Sequence, residues 1–319
     1  MLLCSERFEL DHGDRLDQIT PGLGRVTLGD AASPPAVDQI TAAFLSNDMW
    51  PDQAPAFFEV VGSASNLKWV HIMFAGVDHP MFRRLASRGV RITTSAGASA
   101  PGIAETVLLY LSALSRELPD HLRRQRDGEW EYRRWRPLAG RSVAVVGYGP
   151  VGQHIVALTQ AVGLSPTIVR RQVQGDEPCP TRTLAELSEV AADHDVLILA
   201  LPLNQDTEGL ITSDIIDAMG PESIFINVAR GKLVDEAALT DALVEGRIAG
   251  AGLDVFVEEP LDPSSPLWTV PNVIITPHHA GASTDAPNRV TDMFFENLGR
   301  WSTDQPLRNE ATFEPDPET

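Results

Sequence analysis

Residues 142–152 read SVAVVGYGPVG, and this stretch decides the fold. Four apolar residues follow Ser142 and stop at Gly147, where a GxGxxG pattern leads into a segment with helical spacing of apolar residues. In such a strand–turn–helix unit the first glycine makes a tight turn, the second lets backbone N–H groups approach a pyrophosphate, and the third lets helix and strand pack closely. The stretch therefore predicts a dinucleotide site at the N-terminus of a helix.

The sequence on both sides of this stretch indicates an α/β protein. Further short apolar runs follow it, with helix-like segments between several of them, at 166–169, 196–201, 223–227, 250–255 and 273–276. Strands that alternate with helices predict βαβ units and a parallel sheet that is buried on both faces. Residues 1–97 repeat this alternation on a smaller scale, and a long helix is predicted over about 101–118. Residues 123–136, which are rich in charges, read as a solvated, partly helical connector with Trp130 and Trp135 as packing anchors.

The composition excludes several classes of function. The 319 residues include 25 Lys and Arg against 44 Asp and Glu, which gives a formal net charge of −19. Such an acidic chain is a poor partner for nucleic acids and anionic membranes, because both bind basic faces. The first residues carry acids where a signal peptide carries basic residues, and no apolar run approaches the roughly 18 residues that span a bilayer. We therefore expect a soluble, cytoplasmic protein of about two domains with neither kind of partner.

The cysteine and histidine content predicts no disulfide framework and no metal site. Cys4 and Cys179 are the two cysteines, which is too few for a stapled fold or a Cys-based metal site. His71, His79 and His154 are isolated along the sequence, without the spacing of metal ligands.

The strand after the glycine pattern predicts which dinucleotide binds. Folds of this kind that bind NAD place an Asp or Glu roughly 20 residues beyond the glycines, where it bonds the ribose hydroxyls. Here Arg170, Arg171 and Gln172 stand in that region. A carboxylate would repel a 2′-phosphate, whereas a planar guanidinium binds it with paired hydrogen bonds. We therefore predict that NADP(H) is preferred and that NAD(H) remains possible, the alternative being an arginine pair that is merely solvated.

Three later segments combine residue types that suit a reaction at a carboxylate-bearing substrate. Arg230 lies in 227–231, Glu259 in 254–260 and His278 in 276–281, each after a predicted strand. Ligands of open α/β sheets bind at the carboxyl ends of strands, so these side chains are expected at one edge. Arginine binds a carboxylate, histidine moves a proton, and glutamate orients the histidine.

These segments, together with the glycine pattern and the N-terminal unit, resemble the D-isomer-specific 2-hydroxyacid dehydrogenase family, which includes glyoxylate and hydroxypyruvate reductases. The resemblance starts at 74–78, continues through Ala104 and Glu105, and ends at His278. It implies two Rossmann-like domains with a cleft between them. A flavodoxin-like substrate domain would comprise 1–97 and 281–319, and a doubly wound NAD(P)-binding domain would comprise 98–280. The family also implies a homodimer formed through the cofactor domain.

The resemblance implies a role for each catalytic and substrate-binding position. Arg230 would hold the carboxylate and keto oxygen of the substrate. His278 would donate a proton to the keto oxygen, and Glu259 would keep the imidazole protonated and aimed. The backbone N–H groups of Ala75 and Gly76 would receive the carboxylate. Phe74 would narrow the pocket, which favours small 2-oxo acids.

The resemblance also implies the cofactor contacts. Gly147, Gly149, Pro150, Val151 and Gly152 would lie at the pyrophosphate. Leu201, Pro202 and Thr207 would flank the adenosine half, and Val228, Ala229 and Asp254 would face the nicotinamide side, Asp254 near the carboxamide. His279 would point away from the site if its segment is extended, because side chains alternate along a strand.

Two functional hypotheses follow. The first is an enzyme that uses NADPH to reduce a small 2-oxo acid to a D-2-hydroxy acid, with His278 as the proton donor. The second is a dinucleotide-sensing, corepressor-like binding protein on the same fold, because a fold alone does not determine activity.

Overall fold

The computed structural model describes residues 1–29, 37–77 and 79–313 and divides the chain into two compact units. Met1–Ala98 and Thr284–Thr319 form the first unit, and Ser99–Ser283 form the second. Asp78, within the segment where the family resemblance begins, lies outside the described residues.

The first unit contains a parallel sheet. Its strands are β1 (Leu2–Cys4), β2 (Arg25–Thr27), β3 (Ala42–Leu45), β4 (Trp69–Ile72) and β5 (Arg91–Thr94). They lie in the order β2-β1-β3-β4-β5, and each neighbouring pair is parallel. This is the strand order of flavodoxin-like folds.

The second unit contains a larger parallel sheet. Its strands are β6 (Ser142–Val146), β7 (Ser165–Arg170), β8 (Thr181–Thr183), β9 (Val196–Leu199), β10 (Ile224–Asn227), β11 (Gly250–Leu253) and β12 (Val273–Ile275). The order is β12-β11-β10-β9-β6-β7-β8. The chain leaves β6 toward one edge and then returns to the other side of β6 at β9, so the order reverses there, as in a doubly wound dinucleotide fold. The predicted α/β class with two Rossmann-like units is confirmed.

Helices cover the sheets of both units. In the first unit they are α1 (Glu6–Ile19), α2 (Ala54–Ser63), α3 (Pro80–Ser87) and α10 (Ala286–Ser302). In the second unit they are α4 (Ala100–Ser115), α5 (Leu118–Asp127), α6 (Pro150–Ala161), α7 (Leu187–Asp193), α8 (Ser213–Ala218) and α9 (Glu236–Val244). Within the described ranges, none of the helices combines the length and the apolar character needed to cross a membrane.

The central strands of the second sheet are buried on both faces. Ala144 and Val146 of β6 pack into one hydrophobic cluster, whereas Val143 and Val145 pack into another on the opposite face. All four side chains are fully buried. The continuous apolar run is therefore explained by a parallel sheet with helices on both sides.

The long helix predicted over 101–118 is wrong in its last turn. α4 ends at Ser115, and α5 begins at Leu118 after Glu117 adopts a left-handed backbone with φ of 49°. Pro119 explains the break, because a proline is tolerated in the first turn of a new helix but would remove a hydrogen bond inside a continuing one.

The connector that follows α5 is not anchored by Trp130, which corrects the prediction. The Trp130 side chain is 99% exposed. Trp135 is partly covered, because the Arg116 guanidinium lies 3.8 Å from its ring centroid. Charges hold the connector instead, since the Asp120 carboxylate accepts hydrogen bonds from Arg124 and Arg133.

Candidate active site

The glycine loop between β6 and α6 has the geometry that close backbone approach requires. Gly147 has φ of +105°, and a Cβ there would lie 2.4 Å from the carbonyl oxygen of Ala200. A Cβ on Gly152 would lie 2.1 Å from the carbonyl oxygen of Gly147. A Cβ on Gly149 would meet no atom within 4 Å. The first and third glycines are therefore required by the fold, and the second leaves open space before the N-terminus of α6.

A cavity of about 510 Å³ lies at this loop. Predicted cofactor residues line it, namely Gly147, Gly149, Arg170, Arg171, Leu201, Pro202 and Thr207. The remaining lining residues are Tyr148, Val169, Gln172, Gln174, Leu184 and Asn204. The sequence predictions did not single out Tyr148, which lies within the glycine motif, or Gln174 and Asn204, which adjoin predicted segments. They had no signal for Leu184, which the fold brings there from a more distant segment. Pro150, Val151, Gly152, Val228, Ala229 and Asp254 lie outside this lining.

Thr207 shapes the wall of this cavity rather than opening its hydroxyl to it. The side chain is buried, and Oγ1 donates a hydrogen bond to the Pro202 carbonyl at 2.9 Å. The same oxygen accepts a hydrogen bond from the Asn204 N–H at 2.8 Å. Thr207 therefore holds the turn that carries Pro202 and Asn204.

Arg170 at the end of β7 is ion-paired, not solvated. Its Nη1 donates to Glu177 Oε1 at 2.9 Å, and the Glu177 side chain is only 3% exposed. The Gln174 and Gly175 N–H groups also donate to this carboxylate, each at 2.8 Å. These hydrogen bonds, with that of Gln174 the strongest cause, hold the pKa of Glu177 at about 2. Glu177, seven residues farther along the chain, is therefore the acid that meets Arg170. Its carboxylate oxygens accept hydrogen bonds from the loop backbone and from the guanidinium.

Arg171 differs from its neighbour. Its Nη2 donates to Asp206 Oδ2 at 3.0 Å, and both side chains are more than 60% exposed. Such an exposed pair contributes little stability and can exchange partners easily. Arg171 can therefore turn toward an anion in the cavity, while Glu177 holds Arg170 in place.

The turn that carries Arg230 follows β10. Asn227 is buried and spans the turn, because its Nδ2 donates to the Arg230 carbonyl at 2.9 Å and its Oδ1 accepts from the Ala229 N–H at 3.0 Å. Gly231 packs directly on the backbone of Phe256, where a Cβ would come within 1.9 Å of the carbonyl carbon. Glycine is therefore required beside Arg230, and it brings this turn against the segment after β11.

Glu259 and His278 are in direct contact. The Nδ1 atom of His278 lies 2.7 Å from Glu259 Oε2, and the Phe256 N–H donates to Glu259 Oε1 at 3.1 Å. The His278 side chain is 49% exposed and that of Glu259 is 36% exposed. The carboxylate is thus held from one side by the backbone and bonds Nδ1 of the ring, so that Nε2 is the ring nitrogen that Glu259 does not engage.

His278 does not lie in an extended segment, so the premise for dismissing His279 is wrong. The backbone of His278 is left-handed, with φ of 50°, a conformation that non-glycine residues rarely adopt. Asp254 supports this turn, since its backbone carbonyl accepts from the His278 N–H at 2.8 Å. Its buried carboxylate accepts from the N–H groups of His279 and Ala280 at 3.0 Å each.

The predicted carboxylate-binding loop lies in the first unit after β4. The ring of Phe74 meets that of Trp50 edge-on at 4.9 Å, and the carbonyl of Phe74 accepts a hydrogen bond from the Ser95 N–H at 2.9 Å. Ala75 is exposed and Gly76 is partly exposed. An aromatic pair therefore stands next to these two backbone amides.

The part of the chain that the structure describes contains no candidate set of metal ligands. Within it, no group of three or more His, Cys, Asp or Glu side chains is arranged to hold a metal ion.

Comparisons with known proteins agree on one family. The family model described as D-isomer specific 2-hydroxyacid dehydrogenase, NAD binding domain, matches residues 108–280. The glyoxylate reductase/hydroxypyruvate reductase of Mus musculus is 31% identical over 249 residues, which cover 74% of each chain. The glyoxylate reductase of Korarchaeum cryptofilum is 32% identical over 258 residues, 76% of each chain. The crystal structure of a D-isomer specific 2-hydroxyacid dehydrogenase from Xanthobacter autotrophicus Py2 in complex with NADPH and MES is 30% identical, with a TM-score of 0.79 over 98% of this chain and 97% of that one.

Proposed function

Because this chain belongs to the D-isomer specific 2-hydroxyacid dehydrogenase family, whose members are oxidoreductases with an NAD(P)-binding domain, we propose that it uses NADPH to reduce a small 2-oxo acid to a D-2-hydroxy acid. The observation that carries the proposal is the 2.7 Å contact between His278 and Glu259. Their segments follow β12 and β11, and the turn of Arg230 follows β10, which is the next strand in the sheet. The residues to which we assign the acid/base pair and the carboxylate-binding cation therefore follow three adjacent strands at their carboxyl ends.

The residues present fit a bound dinucleotide. Gly149 leaves the approach to the N-terminus of α6 open, and Arg170 and Arg171 line the same cavity. When bound, the nicotinamide supplies a hydride to C2 of the substrate. Arg230 binds the carboxylate, and the Nε2–H of protonated His278 donates its proton to the keto oxygen, so that the hydride and the proton together give the hydroxy acid. Glu259 stabilises the imidazolium through Nδ1 and is not itself consumed.

The preference for NADPH rests on the electrostatics of the cavity. Arg170 and Arg171 are its cations, and the carboxylate of Glu177 is bonded to Arg170 and two backbone N–H groups. Glu177 therefore anchors an arginine instead of presenting a free carboxylate to the ribose hydroxyls. The related Xanthobacter enzyme was crystallised with NADPH. A 2′-phosphate would receive charge-assisted hydrogen bonds that the 2′-hydroxyl of NADH cannot match.

A steady-state assay tests the function. We expect the purified protein to oxidise NADPH in the presence of glyoxylate or hydroxypyruvate, and to show a kcat/KM at least about tenfold higher with NADPH than with NADH, since one charge-assisted bond contributes about 1.5–3 kcal/mol. Small 2-oxo acids are expected to give a higher kcat/KM than bulky ones, because the paired rings of Phe74 and Trp50 adjoin the loop of Ala75 and Gly76. Tight NADPH binding without reduction of any 2-oxo acid would instead favour the dinucleotide-sensing protein.

We also propose that two copies of the chain pair through the second unit. The connector after α5 leaves large side chains in solvent, since Trp130 is 99% exposed and Tyr132 is 84% exposed. Arg133 of the connector donates a hydrogen bond to the Asp120 carboxylate of α5. Large exposed aromatic side chains are typical of the centre of an interface, and most oligomers pair identical surfaces.

Light scattering after size exclusion checks this pairing. We expect the wild-type protein at twice the 34.6 kDa chain mass and Trp130→Asp at the monomer mass, because a charge at the centre of an interface is left without a partner. Leu10→Asp is the matched control, since Leu10 is 79% exposed on α1 and lies outside the connector. Loss of the dimer in both variants, or in neither, would contradict the assignment of the interface.

A further inference from the structure

A chain of hydrogen bonds runs from the buried interior of the second unit to the backbone beside His278. The Tyr110 hydroxyl on α4 bonds the hydroxyl of Thr276, and Thr276 Oγ1 lies 2.5 Å from Asp254 Oδ1. The Asp254 carboxylate accepts in turn from the N–H groups of His279 and Ala280. Tyr110 is fully buried, so this chain does not open to solvent at its inner end.

The proton positions in this chain follow from the chemistry of its members. A carboxylate only accepts hydrogen bonds, so the hydrogen of the Thr276 hydroxyl points to Asp254. A hydroxyl has one hydrogen, which means that the Tyr110 hydroxyl must be the donor in its bond to Thr276. Burial raises the pKa of Tyr110 to about 12, so its phenol stays protonated and able to donate. Tyr110 therefore holds the Thr276 hydroxyl in the orientation that reaches Asp254.

The turn at His278 needs such support. A left-handed backbone is strained for a non-glycine residue and persists only where its surroundings over-determine it. The hydrogen bonds that the Asp254 carboxylate accepts come from the Thr276 hydroxyl and from the N–H groups of His279 and Ala280. Loss of one donor from the chain would weaken the anchor of the two peptide groups that follow His278.

The packing of Tyr110 fixes where its hydroxyl lies. A Cβ on Gly252 of β11 would come within 2.6 Å of the Tyr110 ring, so the ring rests directly on the strand that leads to Asp254. The ring belongs to the same buried cluster as Val143 and Ala280. Helix α4 and strand β11 therefore hold the two ends of this hydrogen-bond chain, and together they position the turn at His278.

We propose that Tyr110 is a positioning residue that holds the His278 turn through Thr276 and Asp254. Its side chain is fully buried, so we expect its effect on turnover to pass through Thr276 and Asp254, and that effect rests on the proposed role of His278 as proton donor. In this arrangement Asp254 contributes by accepting hydrogen bonds from the backbone N–H groups of His279 and Ala280.

Tyr110→Phe tests the proposal because it removes one oxygen and keeps the ring. We expect kcat to fall about tenfold, since a misplaced acid/base group slows the chemical step, while KM for NADPH and for the 2-oxo acid changes less than twofold. Thr276→Val should reproduce the loss, Thr276→Ser should restore most of the activity, and the Tyr110→Phe/Thr276→Val double variant should be no worse than the poorer single variant. Thr159→Val is the matched control, because the buried Thr159 hydroxyl on α6 donates to the Ile155 carbonyl, away from this chain.

Amide hydrogen exchange provides a second readout that needs no substrate. We expect the His279 and Ala280 amides to exchange faster in Tyr110→Phe than in the wild type and to remain unchanged in Thr159→Val. Wild-type kcat in Tyr110→Phe, or unchanged exchange at these two amides, would overturn the positioning role and leave the proposed reaction intact. If the wild-type protein reduces no 2-oxo acid, the proposed reaction fails, and the exchange measurement still decides whether Tyr110 holds the turn.

Discussion

His278→Gln is expected to lower kcat for 2-oxo acid reduction by about 10³-fold, because the keto oxygen then lacks a general acid at the moment of hydride transfer. Glutamine keeps a hydrogen-bonding side chain but cannot deliver a proton at neutral pH. The glycine loop and the cavity at Arg170 lie on other segments, so the Kd for NADPH should change less than threefold. Stopped-flow measurement of NADPH oxidation, with fluorescence titration of NADPH binding, separates the two effects.

His279→Gln is the matched control for this substitution. His279 is the next residue in the same turn, its ring is exposed, and its backbone N–H bonds Asp254 whatever the side chain. We expect its kcat to stay within a factor of two of the wild type. Retention of more than a tenth of kcat in His278→Gln, or an equal loss in His279→Gln, would remove His278 from the proton-donor role.

The double variant Arg170→Gln/Arg171→Gln is expected to lower kcat/KM for NADPH by about 100-fold and to change kcat/KM for NADH less than threefold. Two charge-assisted hydrogen bonds to a phosphate, at about 1.5 kcal/mol or more each, account for this size. Glutamine at position 170 can still donate to the Glu177 carboxylate, so the loop that Glu177 organises should stay in place. Steady-state kinetics with both cofactors at a saturating 2-oxo acid give the two ratios.

Arg182→Gln is the control for a general change of charge. Arg182 lies on β8 of the same sheet, is 58% exposed and pairs with Glu186, and it does not line the cavity. Its substitution should leave both ratios unchanged. An equal loss for NADPH and NADH in the double variant would show that the arginines hold the loop without reading the 2′-phosphate.

Local patterns in the sequence were sufficient to predict the fold class and the glycine loop. The requirement for glycine at 147 and 152 arises from backbone contacts within one strand–turn–helix unit, which spans a dozen residues or so and is readable as a motif. The apolar runs of β6 and β9 predicted a sheet covered on both faces for the same reason, since burial on both faces leaves no polar side to a strand. The positions of Arg230, Glu259 and His278 after successive strands also followed from the order of segments.

Contacts between distant segments could not be read in this way. The Arg170 prediction missed Glu177, because the acid reaches the strand end only after the loop at 174–175 folds back to bond its carboxylate. Trp130 is exposed, although its apolar ring led to the prediction that it would pack. The ion pairs around Asp120 determine the course of the connector instead.

The sequence by itself determined that this chain forms two parallel α/β units and that one of them binds a dinucleotide at a helix N-terminus, because both properties depend on periodicity and on short motifs. Only the tertiary structure decided how His278 is presented. Its left-handed turn depends on Asp254, Thr276 and Tyr110, which come from three separate segments. Hydrogen bonds between such segments have no periodic signature, since they exist only after helix and sheet have packed together.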